Sequence, residues 1–192
     1  MDIAQRLKGQ EHVKRALEVA AVCNHSITIY TEGTELDATE YVIPLGVALG
    51  INETRMHIAR PCFCGNFGSA ELTCTCSERM MEEWRMAHYR VKTDMYIVLP
   101  LPNYEKLTSD RLGEPLEVIK ARVDRAKVKL NSIDTRLDSA AQSLMKAAVR
   151  QLAMTQYAYD KTADVARSIA ALVDAKVISA AHIAEACQYR PR

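Results

Sequence analysis

Two hydrophobic periodicities divide the first half of the chain into helices and strands. Over residues 10–22, apolar residues recur every three or four positions among charged ones, which predicts an amphipathic helix. Three short stretches rich in β-branched and apolar residues predict strands, at 26–30, 55–59 and 94–99. Further helices are predicted over 37–49, disturbed at Pro44, and over 77–89. This alternation predicts a small parallel sheet in an α/β fold.

Beyond Pro102 the pattern becomes helical throughout. Apolar stripes at helical spacing run from Leu116 to Leu130, from Leu137 to Leu152 and from Val165 to Val173. A last short helix is predicted over 179–188, with a serine at its N-cap. Short connections between four helices favour a bundle. We therefore predict two domains, an α/β domain over residues 1–102 and a helical domain over 113–192.

Four cysteines form the strongest chemical signal, with the spacing C-x-C-x9-C-x-C. Four thiolates at this spacing are typical of a structural zinc site, in which tetrahedral coordination is closed and leaves no position for substrate. We predict a zinc knuckle over residues 61–77 with these ligands: Cys62, Cys64, Cys74 and Cys76. Bare thiols, a redox pair or an iron–sulfur cluster are alternatives, and His57 or His88 could replace one ligand.

Charge and composition exclude some function classes. The 192 residues carry a net charge of +1, so no strong attraction to nucleic acid or to an anionic membrane follows from the totals. No apolar run is long enough to span a bilayer, and residues 1–6 lack the pattern of a secretory signal. We therefore expect a cytoplasmic protein. In a reducing compartment, clustered cysteines indicate metal ligands rather than disulfides.

Three parts of the chain together resemble the magnesium-chelatase-like AAA+ ATPases of the ComM and YifB type. Residues 9–21 resemble the opening helix of that family, residues 61–65 with 74–77 its cysteine insert, and residues 165–170 with 182–190 its C-terminal helical lid. The resemblance implies a parallel sheet of order 5-1-4-3-2. The stretch that carries strands 2 and 3 is missing here, so the order 5-1-4 should remain. Residues 55–59 would then form an open edge, which predicts a homodimer or a partner such as a full-length AAA+ relative.

The turn after the first strand departs from the family. Relatives carry a phosphate loop there, G-x-x-G-x-G-K-[ST], whose backbone N–H groups, lysine and hydroxyl hold phosphate and Mg²⁺. This chain has one glycine, Gly33, and three acids, Glu32, Glu35 and Asp37. Each carboxylate about 4 Å from a phosphate charge would cost on the order of 4 kcal/mol at an effective dielectric near 20. ATP is therefore not expected to bind.

Other family positions are also lost. The Walker B acids are missing, Arg60 replaces the sensor asparagine, and the run 91–94 lacks the finger arginine. Only Arg167 matches the sensor arginine of the lid, and it would contact a nucleotide only if one were bound. The resemblance thus implies a catalytically inactive relative that acts as a zinc-stabilised binding or scaffold protein. The alternatives are nucleotide binding without hydrolysis, or a DNA-binding accessory role of the zinc knuckle.

Overall fold

The computed structural model describes residues 1–32, 34–69, 72–88, 92–102 and 104–191. Three positions that the sequence analysis uses lie outside the described residues: Gly33, the predicted helix end at residue 89, and Val91 at the start of the run 91–94.

A three-stranded parallel sheet forms the centre of the first half. Its strands are β1 (Ile27–Thr31), β2 (Met56–Ala59) and β3 (Met95–Leu99), and their order is β2-β1-β3. The predicted sheet, with the first strand between the other two, is confirmed. The outer edge of β3 is partly covered, because the backbone N–H of Tyr96 donates to the carbonyl oxygen of Tyr189 at 2.9 Å. Within the described residues β2 pairs with β1 alone and ends the sheet.

Four helices accompany the sheet: α1 (Ile3–Arg6), α2 (Glu11–Cys23), α3 (Ile43–Ala48) and α4 (Glu78–His88). Helix α2 follows the predicted pattern, and its apolar stripe, including Val13 and Leu17, is completely buried. The helix predicted over 37–49 is split, because a π-helical turn (Ala38–Val42) precedes α3. Pro44 has no N–H to donate back to the preceding turn, which accounts for the irregularity at this point.

The second half contains α5 (Tyr104–Thr108), α6 (Leu116–Lys129), α7 (Ser139–Gln151), α8 (Gln156–Leu172) and α9 (Ala180–Gln188). It also contains two short parallel strands, β4 (Asp134–Leu137) and β5 (Val177–Ile178), which the sequence analysis does not predict. The assignment of Leu137 to a helical stripe is therefore wrong. Asp138 accepts a hydrogen bond from the N–H of Ala141 and begins α7 as its N-cap, which leaves Leu137 outside the helix.

One continuous apolar core joins the two halves. Buried residues of α2 and the sheet belong to the same cluster as those of α6 and α8, for example Leu17, Ile29, Val123 and Ile169. Ion pairs reinforce the contact from α2. Arg15 lies 2.8 Å from Glu185 on α9, and the buried Glu18 lies 2.7 Å from Arg122 on α6. The boundary between residues 102 and 113 stays a prediction.

An ionic cluster around the buried Asp94 also connects α8 to the amino ends of the strands. Asp94, just before β3, lies 2.9 Å from Lys161 on α8 and 3.4 Å from Arg55. His25, just before β1, makes a 2.8 Å hydrogen bond through Nε2 to Ser168 on α8, and its Nδ1 lies 3.9 Å from Asp94. Ser168 is fully buried, so this serine, histidine and aspartate cannot act on a substrate as a hydrolytic triad would. The cluster instead holds α8 against the sheet.

Protonation of His25 is expected to weaken the fold. Burial lowers the pKa of His25 below its ordinary value of 6.5. The positive charges of Lys161 and Arg55 also lower this pKa, whereas the carboxylates of Asp94 and Asp164 raise it by less than the total lowering. The unfolded chain therefore takes up a proton on this histidine before the folded chain does. The stability that results is complete above pH 6.5 and is lost as the pH falls below that value.

Urea unfolding measured between pH 7.5 and 5 tests this expectation. The His25→Gln variant should show a flatter dependence on pH than the parent. Burial also lowers the pKa of His182, whose Nδ1 accepts a hydrogen bond from the N–H of Ser179, the N-cap of α9, so His182→Gln serves as the second variant. An unchanged slope in His25→Gln would show that this histidine does not carry the effect.

Candidate metal centre

The four cysteines predicted as ligands converge on one point. Their sulfur atoms all lie within 4.8 Å of one another. The Cys62 sulfur is 3.3 Å from that of Cys64 and 3.7 Å from that of Cys74, and the Cys64 and Cys74 sulfurs are 3.6 Å apart. These distances exceed the S–S bond of about 2.05 Å in a disulfide, and all four cysteines are free. Cys62 is buried, and the other three are partly exposed.

Tight turns bring the two cysteine pairs together. After the first pair, Gly65 has φ +84° and its N–H donates to the carbonyl oxygen of Cys62 at 3.1 Å. Gly68 has φ +82°, a conformation in which a side chain would be strained. The N–H of Cys64 then points to the Cys76 sulfur at 3.4 Å. The backbone thus holds the sulfurs close together although the segment has little apolar content of its own.

The arrangement fits a zinc ion. Zinc binds thiolate sulfur at about 2.3 Å, and a regular tetrahedron of such bonds has sulfur–sulfur edges of about 3.8 Å. The sulfur–sulfur distances of 3.3, 3.6 and 3.7 Å are slightly shorter than these edges, so a small outward movement of the thiols would admit the ion. His57 is exposed on β2 and is not among the convergent residues. The side chain of His88 lies outside the described residues.

The thiols influence one another electrostatically. Backbone N–H groups of Thr75 and Asn66 lower the pKa of Cys64 to about 5. The N–H of Cys76 lowers the pKa of Cys74, but burial and the neighbouring thiols outweigh it and raise that pKa to about 12. One thiolate therefore forms readily, while a second beside it would meet like charge. A bound dication removes this conflict by compensating the negative charge of the group.

The knuckle, defined as residues 61–77, is also tied to the carboxyl end of the sheet. Glu32, directly after β1, accepts a hydrogen bond from the Ser69 hydroxyl at 3.3 Å and from the backbone N–H of Leu101 at 3.4 Å. Ser69 belongs to no recognisable sequence motif, and its contact with Glu32 is visible only in the fold. The contact places one acid of the turn after β1 between the knuckle and the segment that follows β3.

A second acid of that turn is paired as well. Glu35 lies 3.3 Å from Nε of Arg60, which directly follows β2. Both side chains are about half exposed, so the ion pair itself contributes little to stability. Its position matters more than its strength. It crosses the carboxyl ends of two neighbouring parallel strands, the edge at which α/β proteins bind their ligands.

Arg167 lies away from that edge. Its Nη2 donates to the carbonyl oxygen of Leu130 at 2.9 Å, and its Nε is buried without a hydrogen-bond partner among the described residues. The adjacent Ser168 contacts His25, which precedes β1, so the backbone of Arg167 lies near the amino ends of the strands. The turn at residues 31–37 follows their carboxyl ends. The described geometry does not bring Arg167 and the turn together.

Helix α4 connects the knuckle to the sheet through aromatic rings. Trp84 packs at a tilt against Tyr30 of β1, with ring centroids 6.3 Å apart. Tyr30 in turn stacks on Tyr96 of β3 at 6.0 Å. Trp84 is the single tryptophan of the chain, so its fluorescence reports on this junction. The helix begins at Glu78, two residues after the last cysteine, and the rings therefore limit how far the knuckle can move.

Comparisons with known proteins identify the second half of the chain. Residues 102–190 match the family model described as magnesium chelatase, subunit ChlI C-terminal. A search of curated proteins finds no match for the chain. Among the described residues, no helix combines the length and the apolar character that crossing a membrane requires. Residues 102–190, somewhat less than half of the chain, are therefore similar to the C-terminal part of the magnesium chelatase subunit ChlI.

Proposed function

We propose that this chain is a reduced, catalytically inactive relative of the magnesium-chelatase-like AAA+ ATPases that acts as a zinc-stabilised binding or scaffold protein. The ion pair between Glu35 and Arg60 carries the proposal. It lies at the carboxyl end of the sheet, in the turn where the ATPases of the family bind phosphate. A side chain that would attract phosphate, Arg60, is already engaged by a carboxylate of the chain itself.

The other acids of the turn support the same conclusion. A triphosphate at this edge would have to separate Glu35 from Arg60 and would face Glu32, which holds Ser69 and Leu101. Asp37 adds a third carboxylate. The turn has no lysine that could offset these charges. Repulsion from several carboxylates exceeds what ordinary hydrogen bonds to a nucleotide would return.

Nucleotide binding through Arg167 is the first alternative, and the position of this residue weighs against it. Its guanidinium bonds to Leu130 near the amino ends of the strands. We assign Arg167 a structural role, in which it holds the end of α6 against α8.

The proposed cofactor is a structural zinc ion held by Cys62, Cys64, Cys74 and Cys76, whose sulfurs converge within 4.8 Å. Zinc supplies closed tetrahedral coordination when it is bound, and so leaves no position for a substrate. The residues of the knuckle then keep a fixed shape beside α4. Four free thiols fit a reducing compartment such as the cytoplasm.

DNA binding by the knuckle is the second alternative. A Zn²⁺ ion held by four thiolates keeps a net charge of about −2, which repels phosphate. We therefore favour a protein partner, either a second copy of the chain or a full-length AAA+ relative. The outer edge of β2 is one place for it, because this strand pairs on one side only within the described residues.

Calorimetry with ATP and Mg²⁺ tests the inactive site. We expect no saturable binding at ATP concentrations up to about 1 mM, which means a binding free energy weaker than about 4 kcal/mol. The Arg167→Ala variant should behave like the parent protein. A dissociation constant in the micromolar range would overturn the proposal. If Arg167→Ala then abolished the binding, the first alternative would be correct.

A further inference from the structure

A groove of about 750 Å³ lies between the knuckle and α4, which gives it room for several side chains of a partner. Cys74 and Cys76 line it on the side of the knuckle, and Glu82 lines it on α4. Two large apolar side chains stand exposed at its walls, Phe67 at 52% and Met86 at 72%. The groove thus combines apolar walls with a candidate metal centre at one side.

The knuckle and α4 carry further exposed apolar side chains. Phe63 and Leu72 of the knuckle and Met80 of α4 are also exposed. A single exposed apolar residue is ordinary, whereas a group of them on neighbouring elements marks a site of interaction. Methionine side chains are unbranched and adapt to the shape of a partner. Two of the exposed apolar side chains, Phe67 and Met86, line the groove itself.

The charge around the groove is negative. Glu78 and Glu82 line it from α4, against a single basic side chain there, Arg85. With zinc bound, the four thiolates would add a net charge of about −2 beside Cys74 and Cys76. The sum favours a partner with basic residues and disfavours the phosphates of a nucleic acid.

We propose that this groove binds an amphipathic helix of a partner protein, whose apolar face packs on Phe67 and Met86 and whose lysine or arginine side chains face Glu78 and Glu82. The inference rests on the proposed function, since it names the kind of partner that a zinc-stabilised binding protein would take. A helix fits better than a strand, because the lining residues belong to a loop and a helix and include no sheet edge.

Titration of the zinc-loaded full chain with synthetic peptides tests the proposal. The probe is an amphipathic peptide of about 18 residues, five helical turns, with leucine on one face, lysine on the other and no tryptophan. The matched peptide carries glutamate in place of lysine. Calorimetry should give micromolar binding of the lysine peptide and binding at least about tenfold weaker for the glutamate peptide. The emission of Trp84, on the same helix as the groove residues, should change with the first peptide.

Two neighbouring glutamates on α4 provide matched variants. Glu82 lines the groove, whereas Glu83 pairs with Arg79 at 2.9 Å and does not line it. The double variant Glu78→Gln/Glu82→Gln should lower the affinity for the lysine peptide by about tenfold, and Met86→Ser should lower it by a similar factor. Glu83→Gln should leave the affinity within about twofold. Zinc content and circular dichroism establish that each variant is folded.

The outcomes separate the inference from the proposed function. Equal affinity for the two peptides would overturn the inference that the groove binds a basic helix, even if the protein contains zinc. So would equal effects of the double variant and of Glu83→Gln on the affinity for the lysine peptide. Two further outcomes would assign the groove to another occupant and also overturn the inference. One is binding of single-stranded DNA that becomes stronger in the double variant. The other is self-association of the chain that Met86→Ser abolishes, with no binding of either peptide. Loss of zinc from the parent protein would instead overturn the proposed function.

Discussion

Replacing Cys64 with serine is expected to reduce the zinc affinity of the chain by more than about 100-fold, because substitutions of mere second-shell partners already cost about 10-fold to 100-fold. Cys64 is the most informative ligand to replace. Its sulfur lies 3.3 Å from that of Cys62 and 3.6 Å from that of Cys74, so it takes part in the centre of the cluster. It is also only partly buried, so the change itself disturbs little packing.

The consequence for the fold should be local. The knuckle contributes few residues to the apolar core, and the sheet and the helices keep their buried contacts without it. Loss of zinc should therefore raise hydrogen exchange and proteolysis over residues 61–77 and change the emission of Trp84. The core around Leu17 and Ile29 should stay protected.

Metal analysis, together with the mass of the protein in solution, measures the zinc content per chain in the parent and in Cys64→Ser. The parent protein should contain one zinc ion per chain, and a chelator should compete with it far more effectively in Cys64→Ser. Cys23→Ser is the matched control, since Cys23 is an exposed thiol outside the cluster. A parent protein purified without any metal, or a Cys64→Ser variant that retains zinc at the parent affinity, would show that the thiols serve another purpose.

Sequence patterns predict correctly those elements whose hydrophobic pattern lies within the element itself. The stripe of α2 and the β-branched runs of β1 and β3 each define a buried face, so their positions follow within a residue or two. The cysteine site follows from spacing alone, because zinc requires four donors and tight turns bring both pairs together. The order of the three strands follows from the family resemblance and not from periodicity.

The parts that escape prediction depend on distant partners. Strands β4 and β5 are too short to show a period, and they form because Asp134 and Val177 meet across α7 and α8. The contact between Glu32 and Ser69 leaves no trace in the sequence, because each residue alone looks like an ordinary loop position. The groove beside the knuckle likewise appears only when Phe67 and Met86 are brought to the same surface.

The ionic cluster around Asp94 is another of these unpredicted features, and Asp94→Asn is expected to destabilise the protein by about 3 kcal/mol. The carboxylate is buried and bonds to Lys161 at 2.9 Å, to Arg55 at 3.4 Å and to the backbone N–H of Ser26 at 2.9 Å. Asparagine keeps the size of the side chain but removes the charge that both cations face. The cost stays moderate because Lys161 and Arg55 are partly exposed and can reach water.

The dependence on pH distinguishes this effect from that of His25. Burial raises the pKa of Asp94, but hydrogen bonds from Lys161 and Ser26 outweigh it, and the net pKa lies below the ordinary value of 3.8. The stability that Asp94 contributes is therefore complete above pH 3.8 and is lost as the pH falls through the lower pKa of the folded state. The free energy of unfolding of Asp94→Asn should not show this loss at acid pH. The decrease in that free energy below pH 6.5, which His25 causes, should persist in the variant.

Urea unfolding of Asp94→Asn, Lys161→Met and the double variant provides the measurement. If the pair holds α8 to the sheet, the two single losses should not add, and the interaction energy from the cycle should exceed about 1 kcal/mol. Glu83→Gln, which breaks the exposed pair with Arg79, is the control and should change stability by less than about 0.5 kcal/mol. Additive losses, or a loss in Asp94→Asn no larger than in the control, would mean that apolar packing alone joins the two halves.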